Sequence, residues 1–255
     1  IGVFLGVLWF FMPNNLFALF SEGNLPRSLI MTVLPLLVSF LYDYLLKAKA
    51  GSMAGFIIVF SFIILCHAGY AGMIAISLLI LLLFYRIFCG GHRRQLDVIW
   101  GMVISFALTG IYLYPSVKGG MVSGDSGSGT SSVMKGFFQS ALISLDPLKR
   151  IRDGNGSAFY FGLAAFILVV FGMIASRRKS MPGFFAAFVI FLGTTTSAYS
   201  LLKALPGGQY LWMLRFISIA LCFILFSFFL WDSLKKPLII LLCIFLVADT
   251  VPSLE

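Results

Sequence analysis

The chain alternates long apolar runs with short polar breaks, and the runs carry very little charge. A helix needs about 20 predominantly apolar residues to cross the hydrocarbon core of a bilayer. On that measure nine segments stand out: 1–12, 28–46, 52–67, 69–88, 97–115, 157–176, 182–201, 210–231 and 236–249. Segments 52–67 and 236–249 are short for the task, so the count is good to about one. The pattern predicts an all-α fold, a polytopic transmembrane helix bundle of about nine spans that forms a single transmembrane domain over residues 1–255. One long loop, 116–156, interrupts it. The loop opens with KGGMVSGDSGSGTSS, a composition that cannot pack a core. It continues as VMKGFFQSALISLDPLKRI, where Val133, Phe137, Phe138, Leu142 and Leu145 recur at helical spacing, as on an amphipathic helix lying at a membrane interface.

The breaks between the runs alternate in charge. Every second one is basic, holding Lys47 and Lys49, then Arg86, Arg93 and Arg94, then Arg177, Arg178 and Lys179, then Lys235 and Lys236. These ten basic residues face three carboxylates, Asp43, Asp97 and Asp232. The other breaks and the chain end hold eight basic residues against six acidic ones. Lys and Arg beside membrane spans resist translocation. The basic loops are therefore expected on the cytoplasmic side of a multi-pass cell-membrane protein, with 13–27, 67–70, 116–156, 202–210 and the C-terminal end extracytoplasmic.

Composition fits this reading. Charged residues make up 11% and hydrophobic ones 60%, with mean hydropathy +1.05, whereas soluble domains carry about 25% charged residues. A net charge of +9 taken by itself suggests nucleic acid, but ten of the 18 basic residues sit in the four basic loops, where anchoring to anionic lipid explains them, and no basic aromatic groove is visible. The partners to expect are membrane lipids and not nucleic acid. GDSGSGT lacks the GK[ST] ending of a phosphate-cradling loop. Cys66, Cys89, Cys222 and Cys243 form no CxxC pair and read as free apolar thiols, and Cys66 beside His67 lacks the further ligands that zinc needs, so no metal site and no cofactor is suggested. The opening IGVFLGVLWFF has neither a basic n-region nor a cleavage site, which reads as a fragment that begins inside a truncated span.

Candidate chemistry gathers on the outward face. In MPNNLFALFSEGNLPRSL, residues 12–29, Pro13 and Pro26 are expected to stop helices and Asn15 and Asn24 to favour turns. Arg27 is a candidate anion contact there, Glu22 a carboxylate near a hydroxyl, and Asn24 a further substrate contact. His67, in ILCHAGYAGM, breaks two apolar helices; it either ties them together or binds a phosphate or sugar hydroxyl. Arg215, in KALPGGQYLWMLRF, lies a few residues inside a helix and must snorkel outward or meet an anion. The preceding helix ends in Thr194, Thr195, Thr196, Ser197, Tyr199 and Ser200, whose hydroxyls either satisfy helix carbonyls or line a wet cavity. His92, in CGGHRR, reads as a solvated loop residue on the opposite face. Asp43 stands four residues before Lys47, the favourable order for a helical salt pair. No line of Asp or Glu runs through the spans, which weakens proton-coupled transport.

Several local patterns occur together: FSEGNLPR leading into a span, LCHAGY at a helix pair, TGIYLYPSV closing a span, a long outward loop, an RRK turn and an outward LPGGQYLWMLRF. In this order the chain resembles the YfhO-type bacterial membrane proteins and the related membrane proteins labelled 6-pyruvoyl-tetrahydropterin synthase related, of the GT-C glycosyltransferase superfamily. The resemblance runs over most of the 255 residues on short motifs. It implies an extracytoplasmic glycosyltransferase that takes a sugar from a polyprenyl-phosphate carrier to an envelope glycan or glycolipid acceptor. It also implies a catalytic carboxylate in the first outward loop after the first span, which places that residue before Ile1 and leaves Glu22 a poor substitute by position. The rival readings are a transporter or lipid-linked-oligosaccharide flippase, which would show internal repeats with broken helices, and a non-catalytic membrane scaffold.

Overall fold

The computed structural model describes residues 2–10, 15, 25–90, 92–118, 163–193 and 216–231, together with 237, 238, 240, 241, 244 and 245. Among them are nine helices and no strand: α1 (Gly2–Phe10), α2 (Leu25–Lys47), α3 (Ala50–Cys66), α4 (Ala68–Cys89), α5 (His92–Leu108), α6 (Gly110–Lys118), α7 (Leu163–Ala175), α8 (Met181–Gly193) and α9 (Phe216–Phe229). The all-α expectation holds. The predicted segment 236–249 is represented by six helical residues, and the predicted interfacial helix around 133–145 lies outside the described residues.

Three sequence expectations change. Pro26 does not stop a helix but sits in the first turn of α2, where a missing N–H costs nothing because the first four amides of a helix have no internal partner. His92, Arg93 and Arg94 belong to the first turn of α5, not to a loop, and Cys89 is the last residue of α4. The run 97–115, expected as one span, is broken at Thr109 between α5 and α6. There the Thr109 hydroxyl donates to the Ser105 carbonyl at 2.8 Å, the back-bonding that loosens a helix, and Gly110 and Pro115 follow.

Helix α9 is the axis of the bundle: every residue from Phe216 to Phe228 except Phe226 is buried, as expected for a helix that is apolar all round. It packs on α8, α4, α2 and α1, while α3 packs on α2, α4 and α5, and α7 covers α8. The molecule is apolar outside and hydroxylated inside. Ile111, Ile174, Ile58 and Trp100 are 64–90% exposed, whereas Ser77, Ser105, Ser218 and Ser227 have no exposed surface. Water would not tolerate that exterior; lipid does, and small hydroxylated residues at helix contacts suit it. By length and composition two helices, α2 with 23 residues and α4 with 22, are able to cross a membrane on their own.

Three of the four basic segments are described, and they meet at one end. Arg94 Nη1 donates to the carbonyls of Leu45 (2.7 Å) and Leu46 (3.2 Å), the open C-terminal acceptors of α2. Tyr44 donates to Asp97 at 2.7 Å, and the Cys89 thiol donates to the Arg178 carbonyl at 3.0 Å. The expected pair of Lys47 with Asp43 forms, joined by Ser52 at 2.6 Å. Helix ends 47, 89 and 175 and helix starts 50, 92 and 181 thus share a single basic end.

At the contact of α8 with α9, Gly183 is the point of closest approach. A Cβ there would overlap Ser227 Oγ and stand 3.0 Å from the Phe223 carbonyl oxygen. Gly183→Ala is expected to lower stability by about 1–3 kcal/mol through overpacking, read as a fall in melting temperature in detergent. Adding Ser227→Ala should recover part of the loss but not all, since the Phe223 carbonyl stays; full recovery or no effect would contradict this packing.

Candidate substrate cleft

Pro35 lies inside α2 and has no N–H, so the Met31 carbonyl four residues earlier loses its helical donor. In a lipid environment such a carbonyl must find another partner. Trp9, at the end of α1, supplies it: Nε1 donates to Met31 O at 2.8 Å, and both residues are buried. Asn15 then donates through Nδ2 to the Trp9 carbonyl at 2.6 Å, capping the end of α1. That bond fixes the amide orientation, because only the NH₂ end can face a carbonyl. The other end, Oδ1, is buried and without a hydrogen-bond partner.

Two cavities flank this junction. One, of ≈ 160 Å³, is lined by Trp9, Phe10, Asn15, Ser28, Leu29 and Thr32 among others, and sits beside the first turns of α2. The second, of ≈ 210 Å³, runs along the Pro35 region between α1, α2 and α9, with Leu5, Gly6, Pro35, Ser39, Leu225 and Phe229 in its wall. Trp9 lines both.

Of the five sequence-predicted site residues, Glu22, Asn24 and Arg215 lie outside the described residues. Arg27 and His67 are described, and they fall at the same end of the bundle. Arg27 is 4% exposed, in the first turn of α2. One turn on, Met31 Sδ accepts from the Tyr70 hydroxyl at 3.8 Å. The Tyr70 backbone N–H in turn donates to His67 Nδ1 at 3.1 Å. His67 is therefore the N-cap of α4, with extended backbone (φ −164°, ψ 99°), and its Nδ1 lone pair places the ring proton on Nε2. The side-chain contact that the structure gives His67 is this cap of its own helix, while its backbone N–H donates to the Ile63 carbonyl of α3 at 3.0 Å. The two described carboxylates, Asp43 and Asp97, both lie at the basic end. Among the described residues no group of three or more His, Cys, Asp or Glu is arranged to hold a metal ion.

Trp9 and Asn15 were not singled out by sequence for chemistry. The signal for Trp9 was present: a proline within a span announces an orphaned carbonyl four residues back, and an indole N–H at a nearby span end is a suitable donor.

An all-helical bundle with an apolar exterior, buried hydroxyls and spanning-length helices defines an integral membrane protein. The chain belongs to the 6-pyruvoyl-tetrahydropterin synthase related family of membrane proteins, whose family model matches residues 1–255. No curated protein and no solved structure matches it.

Two measurements check the geometry. Trp9→Phe strands the Met31 carbonyl and should cost about 1–3 kcal/mol; in a Pro35→Ala background, where residue 35 regains its N–H, the same change should cost clearly less, and equal costs would refute the pairing. His67→Ala should destabilise by about 1 kcal/mol through loss of the cap, and His67→Asn, which keeps an acceptor, should restore most of it.

Proposed function

We propose that the protein is a multi-pass membrane glycosyltransferase of the GT-C type, with its basic end cytoplasmic and Arg27 at the extracytoplasmic face. It moves a sugar from a polyprenyl-phosphate carrier to an envelope glycan or glycolipid acceptor. The sidedness rests on the clustering of Lys47, Lys49, Arg86, Arg93, Arg94 and the Arg177–Lys179 turn at one end.

The observation that carries the activity is the buried guanidinium of Arg27 at the opposite end, in the same layer as Tyr70 and His67 and one helix face away from a hydroxyl-lined cavity. A cation inside a membrane protein marks a place for an anion. A guanidinium matches a phosphate as a planar fork. When the bond between the sugar and the carrier phosphate breaks, negative charge grows on the phosphate oxygen, and a fixed Arg27 stabilises it. The acceptor hydroxyl needs a general base. Asp43 and Asp97, at the cytoplasmic end, are too far removed for that role, so the base belongs to another residue than these two.

The test is transfer of labelled sugar from a polyprenyl-phosphate carrier by the full-length protein in vesicles. Arg27→Ala should reduce the rate about 10- to 100-fold, the scale of a lost charged hydrogen bond, with Arg27→Lys intermediate and the melting temperature of the Lys variant near wild type. The break at Thr109 is the observation that favours the rival transporter reading: transfer unaffected in both variants, together with loss of solute uptake, would replace the transferase by it.

A further inference from the structure

The two cavities differ in chemistry yet meet at one side chain. Toward the start of α2, the smaller cavity has an acceptor-rich wall. Asn15 Oδ1 has no partner, and Thr32 Oγ1, having spent its proton on the Ser28 carbonyl at 2.9 Å, presents only lone pairs. Trp9 and Phe10 add flat apolar faces. Below Trp9, the larger cavity is almost wholly apolar, and its edge opens to the lipid side at Gly6, Ser39 and Phe229, all exposed. None of the described residues that line either cavity is charged.

We infer that these two cavities, joined at Trp9, are one binding site for an amphiphile that lays a hydrocarbon chain along α1, Pro35 and α9 and presents an uncharged, hydroxyl-bearing head to Asn15 and Thr32. The apolar half suits a chain drawn from the bilayer, since Ser39 at the lipid edge is the one hydroxyl among the described residues of its wall. The head is chosen by proton count. Lone pairs on the wall require a ligand that donates, which a sugar or glycerol hydroxyl does and a phosphate oxygen does not. An anion would meet the carbonyl-type oxygen of Asn15 with no cation among the described lining residues, a repulsive arrangement. Within the transferase reading, on which only this last assignment rests, the site holds the acceptor and not the phosphorylated donor, which goes to Arg27.

The full chain in phosphatidylcholine vesicles is to be photolabelled with dodecyl glucoside carrying a diazirine in its chain, and the labelled peptides identified by mass spectrometry. Labelling should fall on Gly2–Phe10 and Phe216–Phe229. It should drop about three- to ten-fold in Asn15→Ala, the effect of a lost neutral hydrogen bond. It should be largely abolished in Gly6→Trp, which fills the groove, and persist in Gly6→Ala, whose added Cβ meets nothing within 4 Å. Unlabelled dodecyl glucoside should compete at least about ten-fold better than dodecyl phosphate. Labelling spread over the exposed belt at Ile58, Leu83 and Ile111 and indifferent to Gly6→Trp would overturn the site, and equal competition by dodecyl phosphate would overturn the neutral head. Binding is read without turnover, so a chain that labels as stated but transfers no sugar removes the transferase reading and leaves this site standing.

Discussion

The Met31 carbonyl, deprived of its helical donor by Pro35, sets the arrangement of the first third of the bundle. Each unsatisfied backbone group in a hydrocarbon setting costs several kcal/mol, so the orphan has to recruit a partner from a neighbouring element. The Trp9 indole is that partner, and it ties the end of α1 to α2. Asn15 then caps α1 on the other side of the same residue. The contact at Trp9 stands between the two cavities, which share the indole as a wall. Proline, the residue least compatible with a helix interior, thereby becomes the origin of the site.

The same requirement organises the opposite end. Arg93 and Arg94 begin α5, where a positive charge opposes the helix dipole. Arg94 resolves this by leaving its own helix and donating to the C-terminal carbonyls of α2, where both the dipole and the open acceptors favour a cation. Lys47, Asp43 and Ser52 form a second closed set beside it. Arg94, Lys47 and Asp43 are thus engaged in holding helix termini together. At the other end Lys118 lies over the Tyr114 ring, 5.6 Å from its centroid, as an interfacial anchor, and Arg27 is drawn inward.

Much of the fold was legible in the sequence because membrane spans obey a simple length rule. The apolar runs located the helices to within a few residues, and Lys47, Arg94 and Arg177 marked one end correctly because the charge alternation follows chain direction. What failed was punctuation. Pro26 was taken as a stop and proved to be a start, since a proline is tolerated in the first turn for the very reason that it breaks an interior one. Thr109 was read through, because a hydroxyl that bends a helix by bonding its own carbonyls leaves no mark in hydropathy. Arg27 and His67 were legible as polar residues at span ends, and the link between their helices was not, because it depends on the Tyr70 hydroxyl reaching Met31. Pro35 signals the carbonyl that Trp9 serves, and Asn15 is legible only as a turn former, because hydropathy does not display which side chain reaches an orphaned carbonyl.

Successive residues of an α-helix project about 100° apart, and this bears on how a single turn of α2 can serve two substrates. Arg27 faces the bundle interior with Ile30 and Leu34, while Ser28, Leu29 and Thr32 line the cavity on the adjoining face. A transferase acting on a lipid-linked sugar must keep apart an anion that leaves and a hydroxyl that attacks, yet bring them within bonding distance of one carbon. Under the proposed reaction, the turn that carries Arg27 and Ser28 meets the first need: it offers a cation on one face and acceptors on the adjoining one. A phosphate that strayed to the acceptor wall would meet no charged side chain among the described residues that line it, whereas at Arg27 it meets a guanidinium. The phosphate is therefore directed both by the cation at Arg27 and by the uncharged lining of the other wall, a more stringent sorting than either alone provides.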